Sequence, residues 1–193
     1  MPENNDEALK LKAEIEEAFA DVPYPGDDNI GKAGYFEGVE VAEHFKGIKW
    51  QDYKDNPSQF LTMRLNGDLS FMTHEAFRYY LPLYMIQALI DRKNADCLPD
   101  GIITSFETTG IEIYDELVNR LGLLRMKNPP SEAQKRDYVA RRLAPMTVRQ
   151  LEVILAYLEF IKKTEEEKYS DFRYIDSAKD SVYRALKNRR AAG

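Results

Sequence analysis

The segment Leu69–Leu89 constrains this chain more than any other. It is the densest aromatic and apolar run in the sequence, and it carries a proline, Pro82, inside a helical pattern. Phe77, Leu81 and Tyr84 recur at helical spacing, with Tyr80, Leu83 and Ile86 beside them. A helix that is apolar on nearly every side is a buried one. Thr73 supplies an N-cap hydroxyl, and Glu75 puts a negative charge in the first turn, where the helix dipole favours it. Pro82 has no N–H for the carbonyl of Arg78, so the helix should kink or restart there. The expected architecture is all-α: one domain over residues 1–193, a bundle of roughly six to eight helices around a central helix kinked at Pro82.

The flanking sequence supplies the other helices. Leu11, Ile15, Phe19 and Val22 form an apolar stripe in an N-terminal helix, expected over 6–21 with Asn5 as its cap. Pro23–Asn29 is turn chemistry, with Tyr24 pinned on the core and Asp27 and Asp28 solvated. A short helix over 38–46 carries Val39, Val41, Ala42 and Phe45 and stops at Gly47. Trp50 and Tyr53 should seal one end of the core, with the indole N–H bonded. Asn56-Pro57 opens another short helix, expected to run through Arg64, and Asn66-Gly67 marks a turn.

Beyond the central helix, Pro99-Asp-Gly101 reads as a turn and Ile102–Phe106 as a brief extended run. Residues 111–125 return to a helical stripe. Ser131-x-x-Gln134 and Thr147-x-x-Gln150 are capping-box patterns. The first opens a short basic helix. The second opens a long one, about 148–168, with Val148, Leu151, Ile154, Leu155, Leu158 and Ile161 on one stripe. A final helix over about 171–190 turns Phe172, Ile175, Val182 and Leu186 inward.

Composition narrows the class of function. Hydrophobic residues make up 44% and charged residues 31%, a globular balance. No apolar run reaches the roughly 20 residues of a membrane span, and the acidic, polar N-terminus does not read as a secretory signal. A single cysteine, Cys97, rules out an internal disulfide framework. A cytoplasmic protein is expected. The net charge of −6 divides unevenly: residues 1–100 hold 19 acidic and 10 basic side chains, residues 101–193 hold 14 and 17. An acidic half disfavours phosphate contact, so nucleic acid is not an expected partner. It suits either solubility alone or a basic protein partner.

The sequence holds no Gly-rich phosphate loop, no His-Glu-x-x-His, no Gly-x-Ser-x-Gly and no paired-cysteine motif. No cofactor or metal is expected. The one dense polar group is His74, Glu75, Arg78, Tyr79 and Tyr80. Helical spacing puts His74 and Arg78 on one face and Glu75 and Tyr79 on the next. Arg78 could hold an anionic ligand there. Alternatively it ties down a loop, with Asp27 or Asp28 as the expected carboxylate partner.

Thr73 followed by Glu75-Ala-Phe-Arg-Tyr-Tyr-Leu-Pro82 resembles the hallmark of a bacterial family catalogued as domain of unknown function 6714. His74 stands where that pattern has proline. Val22–Asp28, Gly47-Ile-Lys-Trp50 and the late helix with Gln150 near its start also fit. The resemblance implies the fold type and a bacterial cytosolic setting, and it supplies no activity. With no catalytic constellation, the expected function is non-catalytic protein binding, of which an immunity- or antitoxin-like role is one form. The alternative is a small-molecule-binding protein or enzyme with a pocket around His74, Arg78 and Tyr79.

Overall fold

A computed structural model describes residues 3–61, 68–91, 95, 98–108, 131–164 and 173–192. Among these residues are seven α-helices and no strand. They are α1 (Glu3–Phe19), α2 (Phe36–Phe45), α3 (His74–Ile90), α4 (Leu98–Thr104), α5 (Glu132–Leu143), α6 (Val148–Thr164) and α7 (Arg173–Ala192). Short 3-10 turns occupy Asp27–Asn29, Trp50–Tyr53, Pro57–Gln59 and Asp68–Ser70. The expected helix over 111–125, Asn66-Gly67, Phe172 and Cys97 lie outside the described residues.

The central helix is α3. Its side chains from Tyr79 to Leu89 are all buried, as an all-round apolar pattern requires. Thr73 caps it by accepting a hydrogen bond from the Ala76 N–H. The helix continues through Pro82 and does not restart there. Packing closes a ring of helices. α3 lies against α1, α1 against α6 and α6 against α7, while α4 and α5 each bridge α3 and α7. No helix among the described residues is long and apolar enough to cross a membrane.

Several local expectations are corrected. Ile102 and Ile103 belong to α4 and are not extended. Pro99 lies in the first turn of that helix, where a missing N–H costs nothing, so the same Pro-Asp-Gly reads as a helix start. Asn5 lies inside α1 and does not cap it. Pro57 opens only a 3-10 turn, and its cap residue Asn56 makes no side-chain cap bond. Trp50 is buried as expected, but its indole N–H has no acceptor among the described residues. On α6, Leu151, Ile154, Leu158 and Ile161 are buried and Leu155 is only partly covered.

One backbone contact sets the place of α2. Residues 30–32 run beside 71–73, joined by Lys32 N–H to Phe71 O (2.8 Å) and Thr73 N–H to Ile30 O (2.9 Å). A Cβ on Gly31 would fall on the Gly38 carbonyl, and one on Gly38 would fall on the Lys32 carbonyl. Only glycine lets the two backbones approach this closely. α2 is thereby held against the segment that leads into α3.

Candidate functional site

The polar residues of the first two turns of α3 face three different neighbourhoods. Tyr79 and Tyr80 face the turn that follows α1. The Tyr79 hydroxyl meets Gln51 Oε1 at 3.1 Å, and the Tyr80 hydroxyl lies 3.0 Å from the carbonyl oxygens of both Phe45 and Ile48. Tyr24 packs edge-on to Tyr79 and donates to Asp27 Oδ1 at 2.6 Å. The Gly47 N–H reaches both Tyr24 and Asp27. Gly47 has φ of 70°, the left-handed conformation that ends α2 and aims this N–H. The Tyr24 hydrogen bond holds the Asp27 carboxyl below its usual range, and burial pushes the Tyr80 phenol up. Asp28 is exposed on the surface.

Arg78 faces another way, and the expected pair with Asp27 or Asp28 does not form. Arg78 is half-buried and donates its Nε–H to Gln150 Oε1 at 3.0 Å. Among the described residues it has no carboxylate partner. Gln150 belongs to the capping box that starts α6: its Oε1 also accepts from Thr147 N–H, and its own N–H donates to Thr147 Oγ1. Its Nε2 donates to Ala18 O at the end of α1. One buried amide therefore joins α1, α3 and α6. Burial, and then the like charge of Arg189, lower the pKa of Arg78.

His74 faces a third group that sequence reasoning did not assemble. Its ring lies 5.5 Å from that of Tyr138 on α5. Lys32 Nζ donates to the Tyr138 hydroxyl at 2.7 Å and to Ser70 O. Arg142 Nη2 donates to the same hydroxyl and, at 3.0 Å, to Leu69 O. Arg142 is 1% exposed and has no carboxylate partner among the described residues. Its guanidinium instead lies over the Phe77 ring at 3.9 Å and the Tyr138 ring at 4.8 Å. Ring quadrupoles and a backbone carbonyl thus take the place of a counterion. Burial lowers its pKa to about 10. Burial and the charges of Arg142 and Lys32 also push the His74 imidazole down. The available signal was periodicity: Tyr138, Val139, Arg142 and Leu143 share the inward stripe of α5.

The geometry therefore separates His74, Arg78 and Tyr79. A cleft of about 450 Å³ between α5 and α7 has an apolar floor including Val139, Leu143 and Ala185, with Arg136, Arg184 and Arg189 among its lining. A second, of about 500 Å³, lies beside Tyr138, Lys135 and Glu107. Neither is lined by His74, Arg78 or Tyr79. His44 stacks on Phe60 at 4.6 Å, a packing role. No group of three or more His, Cys, Asp or Glu among the described residues is placed to hold a metal.

The outward face of α2 is a different kind of feature. Its inward side buries Gly38, Val41 and Phe45. Phe36 is 74% exposed, Val39 59% and Tyr35 56%. Phe36 and Val39, at i and i+3, share one side of α2 next to its N-cap Tyr35, and together they make an apolar ledge, with Tyr35 tilted against the half-buried Phe71 at 6.4 Å. Single exposed apolar residues are ordinary, but a contiguous group is the mark of a contact surface. Glu37, Glu40 and Glu43 surround the ledge, all exposed. The sequence set Val39 beside Val41, Ala42 and Phe45 on this helix without assigning it a side, because periodicity on so short a helix fits two faces equally well.

A family model described as "Family of unknown function (DUF6714)" matches residues 7–185. No curated protein and no solved structure matches the chain.

Proposed function

We propose that this chain, which belongs to the family of unknown function DUF6714, is a non-catalytic protein-binding module of the bacterial cytosol, and that it docks its partner on the outward face of α2. The observation that carries this reading is the Tyr35–Phe36–Val39 ledge, whose most prominent member is 74% exposed. Exposed aromatic side chains on rigid backbone lose little conformational freedom on binding, and aromatics dominate interface energetics. The Gly31–Gly38 approach supplies that rigidity. An immunity- or antitoxin-like role is one form this function takes.

The alternative, a catalytic or small-molecule pocket around His74, Arg78 and Tyr79, has less support. His74 packs its ring near Tyr138 on α5, Arg78 bonds Gln150 on α6, and Tyr79 bonds Gln51 in the 3-10 turn after α2, so the three meet different partners. Site-specific photo-crosslinking tests the docking reading. A photoreactive residue at position 36 or 39 should give a discrete cross-linked partner, while one at exposed Lys187 on α7 should not. Equal, diffuse labelling from all three positions would reject it.

A further inference from the structure

We infer that the partner presents a basic segment that seats an apolar side chain on the Phe36–Val39 ledge and sets lysines or arginines against Glu37, Glu40 and Glu43. This rests on the docking reading and adds the chemistry of the occupant. Phe36, Val39, Glu40 and Glu43 follow at i, i+3, i+4 and i+7, so one stripe of α2 runs from apolar to acidic. No Lys or Arg lies on α2.

Among the described residues, none of these three glutamates makes an ion pair. Several carboxylates on the other helices do: Glu16 with Lys12 and Lys54, Glu132 with Arg136, Asp137 with Arg141, and Glu159 with Lys179. Lys32, close in sequence, is already held by Ser70 and Tyr138.

Folding accounts for only part of the arrangement. Glu37 sits in the first turn of α2, where the dipole favours it. Glu43 sits in the last turn, where the dipole opposes it. The spacings 37–40 and 40–43 bring like charges onto neighbouring turns, where they repel. A cationic partner relieves that repulsion, steers encounter and fixes the register of the apolar contact.

The test is a displayed library of random peptides, selected on the full chain and counter-selected on Phe36→Ser. The retained peptides should be enriched in Lys and Arg beside an aromatic or aliphatic residue. The strongest should bind the Glu37→Gln, Glu40→Gln, Glu43→Gln variant about tenfold more weakly, and its affinity should fall as salt is raised. Retained peptides that are neutral or acidic, or that bind the triple variant unchanged, would overturn the basic partner and leave the docking reading standing. A selection in which no peptide distinguishes Phe36→Ser would overturn both. Self-association that blocks the peptide, and that is abolished by reversing Arg184 and Lys187 on α7, would assign the face to a second copy and overturn the inference.

Discussion

Arg78 and Gln150 show what a single side chain can decide. A buried amide that bonds Thr147, Ala18 and Arg78 ties together three helices. Gln150→Ala should therefore cost more than one hydrogen bond, on the order of 2–4 kcal/mol, because the carbonyl of Ala18 and the Thr147 N–H lose partners together. Arg78→Ala removes one half-buried bond and should cost about 0.5–1.5 kcal/mol. Urea unfolding of both variants checks the order, and an Arg78 loss larger than the Gln150 loss would contradict it. His74 gives a pH dependence. Burial, then Arg142 and Lys32, hold its pKa below the ordinary value of 6.5. As pH falls through that value the unfolded chain takes up the proton first, so stability is present above it and is lost as pH falls toward the folded pKa. His74→Gln should flatten this decline in a series of melts, and an unchanged slope would contradict the assignment. Apart from Thr147, which the capping-box pattern paired with Gln150, these partners were not legible in sequence. Gln150 lies 72 positions from Arg78, and matching charge to charge pointed to Asp27, which hydrogen bonds from Tyr24 and Gly47 already satisfy.

At the scale of elements, the legible features are the local ones. Thr73, Ser131 and Thr147 were readable as caps because a cap acts within four residues of itself, and all three make the expected bonds. The central helix was readable because an all-round apolar pattern has one solution. Readings failed where two local solutions were equal and packing chose between them. Pro99-Asp-Gly101 serves a turn or a helix start, and the burial of Ile102 and Ile103 selects the helix. Leu155 sits at the rim of its stripe, which position alone does not reveal. Leu158→Ala should cost about 2–5 kcal/mol and Leu155→Ala distinctly less. Equal losses by chemical denaturation would contradict the observed rim. Gly38→Ala puts a methyl against the Lys32 carbonyl, where backbone and not a flexible side chain must yield. A loss of at least about 1–3 kcal/mol is expected, and a neutral substitution would mean that the α2 crossing is looser than described.

For the molecule as a whole, the ring of helices that includes α3 leaves α2 without a Lys or Arg and puts Arg189 and Arg190 in the last turn of α7. The acidic N-terminal half was plain in the composition, and it fitted solubility alone as well as a basic partner, without naming a surface. The location became visible only with the burial pattern of α2, because the Gly31–Gly38 contact decides which side of that helix faces outward. We expect one cooperative unfolding transition for residues 1–193. Trp50 is the only tryptophan and is buried, so its fluorescence and far-ultraviolet circular dichroism should report coincident midpoints. Separate midpoints would divide the chain into two units. The most direct test of the docking claim is the affinity of the cross-linked partner for wild type and for Phe36→Ser, measured on folded protein by titration calorimetry. The ledge predicts a loss of about 2 kcal/mol or more, as for a central anchor of an interface, with the unfolding midpoint unchanged. Equal affinity for the two proteins would contradict it.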